Sequence, residues 1–278
     1  MIGEERMIKA LFFDLDGTLL DGQKKISPRT YQTLGQCREK GYRLFIATAR
    51  PPLLDRMLSW DENTLNLFDG GSYQNGGCIA IDGHKEYQSV SREIVDAAIN
   101  QVKAYDGLNI ALQLEDEKHA FRIPLDENGY RGWGITASEI IPLDQTAKLE
   151  TIKILVFYSN LIDSVRPIDD DLISSLTAIC GGNAQIYLTD RGKSIQIMGA
   201  SVNKFRSIEK IRDRFGYAKD EIAVFGDDVN DVEMLSEYEF SVAMGNAEPD
   251  VKSSARYVTL SNDSDGISHA IHNILSLL

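Results

Sequence analysis

Residues 8–13 form an apolar run that breaks off into Asp14-Leu15-Asp16-Gly17-Thr18. An uninterrupted apolar stretch ending in a polar loop is the pattern of a parallel strand buried on both faces. Ser27-Pro28 then reads as a helix start, with serine as N-cap and proline in the first turn. Tyr31, Leu34 and Cys37 space its buried face, and Gly41 ends it. A second apolar strand at 44–47 runs into Thr48-Ala49-Arg50, so strand, helix and strand make a βαβ unit. The last third repeats the alternation. It predicts a helix over 203–215 closed by Gly216, strands over 221–225 and 240–244, and a terminal helix over 267–277. The strand at 221–225 ends in Gly226-Asp227-Asp228-Val229-Asn230-Asp231.

The middle of the chain has another texture. Strand-like pieces at 109–114, 120–123, 152–157 and 185–188 surround helical stretches at 93–104 and 169–180. Two similar terminal pieces flanking a different centre predict an α/β protein with a doubly wound, parallel-sheet core into which an α+β cap is inserted. The expected bounds are 1–83 and 191–278 for the core and 84–190 for the cap. No repeat and no low-complexity linker interrupts this plan.

Composition narrows the classes of partner. Forty-two acidic against 29 basic residues give a net charge of −13. Such a field repels nucleic acid and anionic membrane, and neither is expected as a partner. The three cysteines, Cys37, Cys78 and Cys180, are too few and scattered for a disulfide framework or a zinc knuckle. Glu4, Glu5 and Arg6 precede the first apolar run, unlike a signal peptide. No uncharged apolar stretch reaches the roughly 18 residues a membrane helix needs. A soluble, cytoplasmic protein is expected.

In an open α/β sheet, ligands bind beyond the carboxyl ends of the strands. Here those ends carry Asp14 and Asp16, Thr48 and Arg50, and the acidic loop 227–231. Carboxylates brought that close raise one another's pKa unless a cation neutralises them. Oxygen-only donors suit a hard cation, and Mg²⁺ best. Gly17 lets the chain turn straight after the strand. Asp14, fixed and exposed at the strand tip, suits a nucleophile, and Asp16 two residues on suits a mobile acid/base.

These motifs resemble those of the haloacid dehalogenase superfamily, within it the Cof-like phosphatases with a large α/β cap. Asp14-Leu15-Asp16-Gly17-Thr18 is similar to the first motif, Thr48 and Arg50 to the second, Lys204 to the third, and residues 226–231 to the fourth. Asn75-Gly76-Gly77 resembles the family's turn before the cap. The resemblance implies a Mg²⁺-dependent phosphatase acting on small phosphorylated metabolites, sugar phosphates foremost, through an aspartyl-phosphate. It implies Asp14 as nucleophile and Asp16 as acid/base. It also implies metal ligation by the Asp14 carboxylate, the Asp16 carbonyl and Asp227, a phosphate site of Thr48, Lys204 and Asn230, and Asp231 as support. Ala49 and Phe205 stand where the family usually has glycine. A phosphosugar mutase and a non-catalytic metal- or phosphate-binding regulatory module are the alternatives. Asp16, which receiver-type modules lack, argues against the latter. His119, Arg122, Tyr130, Arg131 and Trp133 fall in the expected cap, where support of packing or solubility is expected ahead of the alternative, a place facing substrate.

Overall fold

The computed structural model describes residues 8–158 and 166–278; the charged opening Glu4, Glu5 and Arg6 lies outside them. Thirteen strands occur among the described residues. In chain order they are β1 Ala10–Phe13, β2 Arg43–Ala47, β3 Gly70–Tyr73, β4 Cys78–Ile81, β5 His84–Tyr87, β6 Leu108–Leu114, β7 His119–Phe121, β8 Thr151–Tyr158, β9 Ala184–Thr189, β10 Ser194–Gly199, β11 Ile222–Gly226, β12 Phe240–Ala243 and β13 Tyr257–Val258. They form an eight-stranded sheet, β13-β12-β11-β1-β2-β3-β4-β5, and a five-stranded sheet, β7-β6-β8-β10-β9.

The chain divides into two compact units. The first comprises Met1–Ala49, Trp60–Lys85 and Lys204–Leu278; the second comprises Arg50–Ser59 and Glu86–Asn203. The second unit therefore runs beyond the expected bound at 190. The reason is β10, which pairs antiparallel with both β8 and β9 and so belongs to the five-stranded sheet. Arg50–Ser59 also joins this unit, because Leu53 and Met57 pack with Phe121, Ile135 and Trp133.

In the first unit the central strands pair in parallel: β1 lies between β2 and β11, with β12 beyond β11. Alternating phenylalanines lock them. Phe12 stacks on Phe45 at 4.8 Å and Phe13 on Phe225 at 4.9 Å, one pair on each face. Helices Lys204–Phe215 and Val232–Glu237 add Ile208, Ile211, Met234 and Leu235 to the cluster holding Phe12 and Phe45. The helix Pro28–Glu39 is capped as its sequence predicts, Ser27 accepting from the Thr30 amide. It meets the C-terminal helix through Thr33 and Ser268, whose hydroxyls lie 2.9 Å apart. That last helix departs from expectation. It is α-helical over Gly266–His269 and widens into a π-turn over Ala270–Ile274.

In the second unit the faces of the sheet differ. Leu108, Ile110, Leu112, Ile154, Val156, Ile195 and Ile197 pack under helices Arg92–Val102 and Asp170–Cys180. Asn109, Gln113, Lys153 and Gln196 alternate onto the other face and are all buried. Arg122 ties β7 to the end of the helix Arg92–Val102, donating to the carbonyls of Val102, Tyr105 and Leu108.

Candidate active site

Asp14 follows β1 directly, and its amide donates to the Phe225 carbonyl, so the neighbouring strand fixes the residue. It is not exposed at the strand tip, as its sequence position suggests, but 5% accessible. The loop after it closes tightly: Thr18 and Leu20 amides both donate to the Leu15 carbonyl. Gly17 sits at φ +85°, and a Cβ there would fall 2.2 Å from Asp227 Oδ2. Only glycine permits this approach of the β1 loop to the β11 loop. Thr18 completes it, donating its hydroxyl to Asp227 Oδ1 at 2.7 Å.

Lys204, the first residue of its helix, is fully buried. Its ammonium donates to Asp14 Oδ1 and to Asp231 Oδ1, each at 2.6 Å. Asp231 is engaged through both oxygens, since Oδ2 accepts from the amides of Asp227 and Asp228. Gly226 makes room for this carboxylate; a Cβ there would lie 2.5 Å from Asp231 Cγ.

The electrostatics follow from two buried acids, Asp14 and Asp231, and the half-buried Asp227 around one base. Burial holds the Asp14 carboxyl well above the ordinary carboxylate range; Lys204 opposes that, and Asp231 and Asp227 add to it. Burial likewise pushes Asp227 up to about 7, reinforced by Asp231. Burial works against the Lys204 ammonium, but Asp14 and Asp231 outweigh it and hold its pKa above the usual lysine value. Three carboxyl groups thus face a single ammonium.

Asp14, Asp227 and Asp231 each offer an oxygen within 4.8 Å of the others, the one grouping of this kind among the described residues. A hard divalent cation fits such an oxygen-only, electron-rich set. Asp231 accepts from Lys204 and two backbone amides, Asp14 from Lys204 alone, and Asp227 from Thr18 and Asn246.

Thr48 and Asn230 lie just beyond β2 and β11, and both meet Asn75. Thr48, at the end of β2, is 1% accessible. Its carbonyl accepts from the Asn75 amide at 2.9 Å. Asn230 is buried, and its Nδ2 donates to Asn75 Oδ1 at 2.9 Å. The Asp16 carboxylate is half-exposed and accepts from Lys24 Nζ at 2.7 Å. Arg50 belongs to the second unit. Phe205 turns away into the core, edge-on to Tyr238 at 5.9 Å, so the helix keeps Lys204 as its first residue.

Sequence reasoning missed Asn246, whose Nδ2 donates to the Gly17 carbonyl at 2.8 Å and to Asp227 Oδ2 at 3.3 Å. Its position just beyond β12 was the available signal. His269, the last residue of the α-helical turn before the π-turn, has its Nδ1 3.1 Å from the Thr259 hydroxyl.

The model of the haloacid dehalogenase-like hydrolase family matches residues 11–271. A putative phosphatase of Haemophilus influenzae is 29% identical over 270 residues, covering 94% of this chain and 96% of its own. A 5-amino-6-(5-phospho-D-ribitylamino)uracil phosphatase of Bacillus subtilis is 24% identical, with 97% of both chains covered. Among solved structures, a sugar phosphatase of HAD subclass IIB superposes with a TM-score of 0.80 at 26% identity, over 96% of this chain and 98% of that one.

Proposed function

Because the chain belongs to the haloacid dehalogenase-like hydrolases, and within them is a phosphoric monoester hydrolase, we propose that it dephosphorylates small phosphorylated metabolites, sugar phosphates foremost, through an aspartyl-phosphate on Asp14 and with Mg²⁺ bound. The observation that carries this reading is the buried bridge from Asp14 through Lys204 to Asp231. It brings two carboxylates against one ammonium beyond the strand ends, an arrangement that suits a carboxylate nucleophile beside a phosphate-binding cation.

Asp14 attacks phosphorus in line, forming a P–O bond as the bond to the substrate alcohol breaks. The leaving oxygen takes the proton of the Asp16 carboxyl, which reaches it by rotating away from Lys24. Water, deprotonated by the Asp16 carboxylate, then attacks the aspartyl-phosphate; the bond to Asp14 breaks and phosphate departs. An ammonium has three donors, and two of Lys204's are taken by Asp14 and Asp231. The third serves a phosphoryl oxygen, together with the Thr48 hydroxyl and the Asn230 amide. Asp14, the Asp16 carbonyl and Asp227 would hold Mg²⁺, which neutralises charge on the phosphoryl group and on these carboxylates. Asp231 holds Lys204 in place.

The substrate class rests on the sugar phosphatase and the 5-amino-6-(5-phospho-D-ribitylamino)uracil phosphatase among the relatives. The test is phosphate release from a panel of phosphorylated metabolites with and without Mg²⁺. Sugar phosphates are expected to turn over fastest, only with the metal, and Asp14→Asn is expected to lower kcat by at least about 10³-fold. Turnover retained in that variant removes Asp14 as nucleophile.

A further inference from the structure

Gln74, Asn75 and Gly76 follow β3 with φ of 54°, 57° and 101°, three successive residues in the left-handed region. Glycine accepts that backbone freely and asparagine tolerates it; for glutamine it is unusual. Both side-chain-bearing residues are buried, Asn75 completely. A strained turn is retained where the surrounding structure requires it, and such turns cluster at functional sites.

Here the turn puts Asn75 between two separate strand ends. Its amide donates to the Thr48 carbonyl, and its side-chain amide meets that of Asn230 at 2.9 Å. With the amides oriented so that Asn230 Nδ2 donates to Asn75, Asn230 Oδ1 is buried and meets no donor among the described residues. A phosphoryl oxygen at that end needs a donor, not another acceptor. A half-turn of each amide about its terminal torsion exchanges N and O without moving the outline of either side chain. Asn75 Nδ2 then donates to Asn230 Oδ1, and Asn230 Nδ2 takes the place of the orphaned oxygen.

We propose that Asn75 is a positioning residue for phosphoryl transfer: held in a left-handed turn, it donates to Asn230 Oδ1 and so points the Asn230 N–H at the phosphoryl group. This rests on the reading of Asn230 as a phosphate-binding residue. Asn75 acts on the phosphoryl group through Asn230.

A double-mutant cycle tests this. Asn75→Gly keeps the left-handed backbone and removes the side chain. In the wild-type background it is expected to lower kcat/KM about tenfold, the scale of one lost oriented hydrogen bond, with inorganic phosphate inhibiting correspondingly less well. In the Asn230→Ala background the same change is expected to cost less than about twofold, because the group Asn75 orients is gone. A purely structural Asn75 gives the same loss in both backgrounds and overturns the proposal. Full activity in Asn75→Gly, with Asn230→Ala impaired, overturns it alone. Full activity in Asn230→Ala removes the phosphate-binding reading and the proposal with it. If Asn75→Gly does not fold, Asn75→Asp replaces it in the cycle, keeping the backbone preference and outline while losing the donor.

Discussion

At the scale of single residues, the site depends on two glycines as much as on its acids. Gly17 and Gly226 are where the β1 and β11 loops approach, each facing an aspartate across a gap too small for a methyl group. Gly17→Ala must displace Asp227 and also hold a left-handed φ with a side chain. We expect a loss of stability of roughly 1–2 kcal/mol, measured by denaturant unfolding, and a fall in kcat/KM of at least about 10²-fold. Activity near wild type would show that the approach of Asp227 to the first loop is dispensable. The acids themselves were legible because each stands where an apolar run stops. Asn246, the Asn75–Asn230 contact and the Thr18–Asp227 bond were not, since parallel pairing, rather than sequence spacing, brings them together. Nor was burial legible: the strand-tip position suggested an exposed Asp14, while the loops of β11 and the Lys204 helix cover it.

At the scale of elements, long apolar strands and capped helices were read within a few residues. The misses share a cause. β3 and β4 are short, and β3 is Gly-Gly-Ser-Tyr, with little apolar side chain to mark it. β10, Ser-Ile-Gln-Ile-Met-Gly, alternates as a one-sided strand should, and missing it placed the end of the second unit too early. Within that unit's sheet His119 offers a pH test. Its ring is buried beside Phe121 and Trp133, and its Nδ1 lies 2.9 Å from the Glu117 carbonyl. Burial lowers its pKa to about 4 from the ordinary 6.5. The folded state therefore resists protonation that the unfolded chain accepts. The stabilisation is complete above about pH 6.5 and is lost as pH falls toward 4, amounting to about 3 kcal/mol. Melting between pH 7 and pH 4.5 should fall more steeply in the wild type than in His119→Phe; parallel curves would contradict this assignment.

At the scale of the whole molecule, the balance of charge matters most. A chain of net charge −13 concentrates buried carboxylates at one point with a single ammonium among them. No helix among the described residues is long and apolar enough to cross a membrane. A cation that binds the folded state and not the unfolded one stabilises it by mass action, about 2.7 kcal/mol at a hundred times its Kd. Mg²⁺ is accordingly expected to raise the Tm of the wild type and to leave Asp227→Asn nearly unmoved. Equal shifts in both proteins would place the metal elsewhere. The family, the α/β fold and the hydrolase activity rest on the match over residues 11–271 and on close structural relatives. The chemistry assigned to individual residues rests on geometry and is open to direct test.

The proposed hydrolysis consists of two successive displacements at phosphorus, first by Asp14 and then by water. Each in-line displacement inverts the phosphorus centre, so two restore it. The stereochemical course of hydrolysis of a sugar phosphate chiral at phosphorus, assayed by transfer to an acceptor alcohol or by isotopic analysis of the product, reads this directly. Net retention is the predicted result. Net inversion would mean that water attacks the ester in one step, and Asp14 would lose its role as nucleophile.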